Sequence, residues 1–235
     1  MDWAYNMGSN STPVIRKYQV GANFVRAGTL AKVAGAGVGG PIPTTTTACA
    51  NSLGLGLEAV TLLTDQQSDA SDPSRLVSIV INADAVIRAR CSGSSTRGAA
   101  IADYAETSGD TAGKTVTASG LVSADEGMVI CSSGANAGQK RKNITGGSGS
   151  AVSQVAFQND IAVGDKFFTL PFSCVDIQTV KLVATDLDEV DASAAVATNE
   201  VAYQPMEVVL GMPSAEILTN TYVMLIAADH LYASS

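Results

Sequence analysis

One histidine, His230, stands in a chain of 235 residues, and Asp229 precedes it. An Asp-His pair is half of the relay that activates a serine nucleophile. The other half needs a positioned serine, and no G-x-S-x-G elbow occurs in the chain. Histidine is the usual general acid or base near neutral pH and the commonest metal ligand. A single one near the C-terminus reads as a structural hydrogen bond. No catalytic residue is expected, and the chain reads as a non-enzyme.

Other motifs fail on context. Gly35-Ala36-Gly37-Val38-Gly39-Gly40 satisfies G-x-G-x-x-G. A dinucleotide site needs a helix starting at the last glycines, so that its N-terminus meets the pyrophosphate. Here Pro41-Ile42-Pro43 comes next. Gly109 to Thr115 resembles a phosphate loop but is one residue short, and Val116 to Gly120 read as strand or loop rather than helix. Asp186, Asp188, Glu189 and Asp191 form the densest acidic patch. It lacks the spacing and glycine of a calcium loop and reads as a solvated turn. A carboxylate pair drawn from Asp186, Asp188 and Asp191 would be the enzymatic alternative, glycoside hydrolysis. Asn143-Ile144-Thr145 matches the glycosylation sequon, without any sign of secretion. Cys49, Cys91, Cys131 and Cys174 contain no C-x-x-C pair, which speaks against structural zinc. Cys91 and Cys131 lie in apolar, strand-like runs, where free buried thiols are expected. No cofactor and no metal are expected.

Composition bounds the partners. The net charge is −8, the wrong sign for nonspecific phosphate binding. The one basic cluster, Lys140-Arg141-Lys142, sits in a Gly/Ser-rich stretch without aromatic neighbours. No nucleic-acid partner is expected. No apolar run approaches the ~20 residues of a membrane span, so no membrane partner is expected. The opening Met1-Asp2-Trp3-Ala4-Tyr5-Asn6 lacks a secretory leader's pattern, and synthesis in a host cytoplasm is expected. Charged residues are 15%, well below the roughly 25% of an average soluble domain. A surface so poor in charge needs hydroxyls or a covering partner. Aromatic residues are 5%, which predicts a core of Val, Ile, Leu and Ala.

The elements that must position these residues read as β. Residues 1–20 read as an N-terminal arm in which Trp3, Tyr5 and Met7 alternate with polar neighbours. Either a disordered end or an element packing on a neighbouring subunit fits. Residues 21–235 read as a β-rich domain. Leu53, Leu55 and Leu57 alternate with polar or small residues, as do Val77, Ile79 and Ile81, and then Ile87, Ala89 and Cys91. The last two runs predict a hairpin. Residues 34–43 predict a loop. Residues 132–153 read as the longest loop-like stretch, and an internal boundary is expected near 133–153. The fold class is mainly β: a barrel- or sandwich-like domain with long loops and an extended N-terminal arm.

The runs VGANFVRAGTLAKVAGAGVG (residues 20–39) and AVGDKFFTLPF (residues 162–172) resemble the head proteins of tailed bacteriophages. The chain is most similar to their capsid decoration, or cement, class, which is β-rich, rich in Gly, Ala and Thr, and opens with a short arm. The resemblance implies a role on the capsid exterior of a virion. Its partners would be the major capsid protein and copies of itself, in a homo-oligomer. Trp3, Tyr5 and Met7 would be the partner-binding anchors. A tail-tube, head-completion or major capsid protein, or a carbohydrate-binding β module, are the alternatives.

Overall fold

In the computed structural model, the described residues are 85–175, 178, 180–183, 189–193, 200–201, 203–212 and 214–227, with eight short strands between 2 and 80. Those eight are β1 (Asp2–Asn6), β2 (Ile15–Val20), β3 (Phe24–Val25), β4 (Leu30–Val33), β5 (Val38–Pro41), β6 (Glu58–Ala59), β7 (Gln66–Gln67) and β8 (Leu76–Val80). Strands β2-β5-β4-β6-β8 close into a small barrel, and β3 pairs with β7. Residues 38–41, expected in a loop, therefore form a strand. The two glycines, Gly39 and Gly40, and the fixed angle of Pro41 do not prevent pairing of β5 with β2 and β4.

A five-stranded sheet comes next, ordered β1-β9-β20-β19, from β9 (Ala85–Ser92), β19 (Tyr203–Val209) and β20 (Tyr222–Ala227), with β17 (Glu189–Asp191) also pairing β9. The expected β8–β9 hairpin does not form. β8 pairs with β2 and β6, and β9 takes β20 on one edge and β1 and β17 on the other. Alternation alone cannot choose between neighbours that all offer an apolar face.

The six-stranded sheet is ordered β10-β15-β12-β13-β14-β11. It comprises β10 (Tyr104–Ala105), β11 (Thr115–Val122), β12 (Met128–Ser133), β13 (Lys140–Gly146), β14 (Ser148–Ser153) and β15 (Lys166–Leu170). It nearly closes into a barrel. Past the end of β10, Thr107 N–H donates to the Thr117 carbonyl of β11 at 2.9 Å. Residues 140–153, read from their Gly and Ser content as a connection, form the β13–β14 hairpin inside this sheet. Two short strands, β16 (Val180–Lys181) and β18 (Glu200–Val201), pair with each other, and residues 214–216 make one 3-10 turn.

Period-two alternation separates the cores. Val129 and Cys131 of β12 and Phe167 of β15 point into the curl of the six-stranded sheet, beside Val116, Leu121, Phe157 and Ile161. Met128, Ile130, Phe168 and Leu170, the alternate residues, meet Ile87, Ala89 and Cys91 of β9 and Val223 and Leu225 of β20. One run, Met128 to Ser132, is thus buried on both faces and joins two layers. Val86, Met224 and Ile226 cover the far face of the five-stranded sheet. The core is not aliphatic alone: Phe157, Phe167, Phe168 and Phe172 are all buried. The rings of Phe157 and Phe167 meet edge-on, 5.6 Å apart. Few aromatics therefore still fill the centre of each layer.

Candidate functional site

Most of the polar constellations serve the chain's own backbone. Asp110 sits where the phosphate-loop likeness begins. Its carboxylate accepts the N–H groups of Ala112 (3.0 Å), Lys114 (2.8 Å) and Thr115 (2.7 Å). The amides that would cradle a phosphate are thus already satisfied by an anion. The bonds from Thr115 and Lys114 hold the Asp110 carboxyl below its usual range. Glu106, buried, does the same for the turn before it. It accepts the N–H and hydroxyl of Ser108, the N–H of Gly109, and the N–H of Thr117 at 2.6 Å. This last bond helps to close the six-stranded sheet.

The sequon is sealed. Asn143 is fully buried. Its Nδ2 donates to the Ala124 carbonyl at 2.7 Å, and its Oδ1 accepts Val152 N–H at 2.9 Å. A folded chain presents no amide there for a glycan. In the G-x-G-x-x-G run, Gly39 and Gly40 lie in β5, so no helix begins at them.

The basic cluster divides by strand alternation. Arg141 turns to one face, donating to the Ala156 carbonyl at 3.0 Å, with its guanidinium 5.2 Å from the Phe157 ring centroid. Lys140 and Lys142 belong to the opposite side. Lys140 donates to the Val208 carbonyl of β19, and Lys142 ion-pairs with Glu126. Lys140 lines a groove of about 230 Å³ with Met128, Cys174, Val175, Met206 and Glu207.

Among the described residues three thiols are free: Cys91 and Cys131, buried, and Cys174, partly exposed. Burial pushes the Cys91 thiol well above its ordinary range. Burial, with Asp165 nearby, pushes Cys131 up to about 12. Burial pushes Cys174 up to about 11, against the opposing effect of Lys140. Cys91 and Cys131 lack the electropositive, accessible surroundings of a reactive cysteine, and at Cys174 burial outweighs the Lys140 charge.

Trp3 and Tyr5 lie on β1, facing Ile87 and Val86 of β9 in the antiparallel register, with a bulge between them. Both residues thus belong to a strand of the chain's own sheet. Met7, Cys49, Leu53, Asp186, Asp188, Asp229 and His230 lie outside the described residues. Asp191 is 1% exposed and faces Lys181, not an open cleft. Among the described residues no group of three His, Cys, Asp or Glu could hold a metal, and no helix is long and apolar enough to cross a membrane.

The feature missed from sequence is the outer edge of β19. Among the described strands, β19 pairs with β20 alone. Pro205 lies within it, and the ladder shifts register between Pro205 and Glu207. Proline inside a strand marks an edge, and that signal was present in the sequence. Around this edge Val175 is 69% exposed, Val209 42% and Met212 84%. No protein-family model matches the chain, and comparisons with characterised proteins and with solved structures give no match.

Proposed function

We propose that the chain is a virion structural protein that binds and stabilises a bacteriophage capsid lattice from outside, as a decoration or cement protein. The observation that carries this reading is the edge of β19. An edge strand can take a neighbouring chain alongside it, although Lys140 already holds the Val208 carbonyl of β19. The exposed Val175, Val209 and Met212 beside it supply apolar surface that a partner would cover. The low charge and the resemblance to phage head proteins point the same way.

The mechanism is mass action. A protein that binds only the assembled lattice stabilises it by its binding free energy. Several weak contacts per oligomer add through effective concentration. β1, which carries Trp3 and Tyr5, lies at the opposite end of the same sheet.

The test uses Val209→Lys combined with Met212→Lys. Exposed substitutions of this kind cost at most about 0.5 kcal/mol of stability. Co-sedimentation of the chain with purified phage particles is expected to fall at least tenfold while the melting temperature holds. Unchanged co-sedimentation removes the β19 edge from the interface. Absence of the chain from particles ends the capsid reading.

A further inference from the structure

The Lys181–Asp191 pair has an arrangement that an ordinary buried ion pair lacks. Leu182 and Val190 form an antiparallel bridge, and Val183 N–H donates to the Glu189 carbonyl at 2.9 Å. This register sets Lys181 directly opposite Asp191. Lys181 Nζ stands 3.3 Å from Asp191 Oδ2, with the two side chains 16% and 1% exposed. The other carboxylate oxygen, Oδ1, is fixed by Ser193 N–H (2.9 Å) and Ser193 Oγ (2.6 Å). Among the described residues, Oδ2 has no hydrogen-bond donor. The amine nitrogen therefore approaches it off the hydrogen-bonding directions. On the other flank, Ser92 turns its hydroxyl away, to the Thr96 carbonyl at 2.6 Å. The neighbours along the two strands, Val180, Leu182, Val183, Val190 and Ala192, are apolar and buried, and Glu200 of β18 stands opposite Lys181 in the register on its other side.

Buried ion pairs hold when further hydrogen bonds satisfy both partners. A buried carboxylate oxygen without a hydrogen bond calls for a reason. We infer that Lys181 and Asp191 condense into an intramolecular isopeptide bond. The register holds Nζ 3.3 Å from Oδ2, the oxygen bonded to the Cγ it would attack. The burial that penalises both charges favours the neutral amide.

The step balances without any co-reactant. The ammonium, once rotated into line with Oδ2, passes it one proton, leaving an amine and a carboxylic acid. The Nζ lone pair attacks Cγ, and a C–N bond forms. The Cγ–Oδ2 bond breaks, and that oxygen leaves as water, taking a second proton from nitrogen. The third proton stays on the amide. Oδ1 remains as the amide carbonyl, still held by Ser193. Glu189, buried on the same face of β17, is occupied by Gly98 N–H (2.7 Å) and Arg90 (3.6 Å) and is not consumed. The cross-link would tie β16 to β17 covalently, whatever the chain binds.

The experiment is the intact mass of the full chain under denaturing conditions, with the state of its N-terminus fixed by peptide mapping. The expected mass is one water below that of the sequence. Trypsin is expected to leave Lys181 uncut, in a branched peptide that contains Asp191. Lys181→Met and Asp191→Ala are each expected at their full sequence mass, a readout that does not depend on folding. The full sequence mass for the wild type, with Lys181 cleaved, overturns the inference. So does loss of water that persists in either variant.

Discussion

Among the described residues, Asp110 and Glu106 spend their carboxylates on backbone amides. Asp110 shows the consequence for pH. Its folded pKa lies below the unfolded value, so its contribution is complete above the ordinary carboxylate range. That contribution is lost as pH falls through the folded value. At neutral pH, Asp110→Asn is expected to cost about 1 kcal/mol, since the site is partly exposed. Below about pH 4 the difference between variant and wild type shrinks, read as urea midpoints at the two pH values. Cysteines carry a second test. In the native protein at pH 8, Cys91 and Cys131 are expected to resist a thiol-alkylating reagent and to react once denaturant is added. Rapid native labelling of either contradicts the burial described. The buried-thiol reading of Cys91 and Cys131 was available from their apolar surroundings. The roles of Asp110 and Asn143 were not, because each depends on which backbone amides the turns bring within reach.

At the scale of elements, local pattern and long-range pairing part company. The alternation in 87–91 placed a strand where one occurs, since side-chain direction follows from sequence spacing alone. Partner choice was hidden. β9 draws its neighbours from residues 2–6, 189–191 and 222–227, all distant in sequence. The β13–β14 hairpin was hidden for another reason. Its Gly and Ser residues carry no hydrophobic signal, and its pairing rests on backbone bonds and on buried Asn143 and Ser153. The two-sided strands give the sharpest mutational test. Phe168 lies between the sheets and Phe167 inside the curl, so each truncation empties a different core. Phe167→Ala and Phe168→Ala are each expected to cost about 3–5 kcal/mol by chemical denaturation. A cost below about 1 kcal/mol for either contradicts the two-core packing.

For the whole molecule, the five-stranded sheet ends in β1 on one side and β19 on the other. Residues 1–20, read as an arm, supply β1 to this sheet and β2 to the small barrel, pairings that no local pattern reveals. A deletion of β1 would strip β9 of its partners at 85–88, so point changes at the β19 edge test association more cleanly. The edge itself was written in Pro205, and its exposed neighbours became visible only once the loops holding Val175 and Met212 were placed.

Contact between neighbouring chains is measured most directly by electron cryo-microscopy of the intact phage particle. Density for this chain outside the shell, bridging adjacent capsid subunits with the β19 edge covered, is the predicted result. Particles that lack the chain, or that carry it with both the β1 and β19 edges facing solvent, would contradict it.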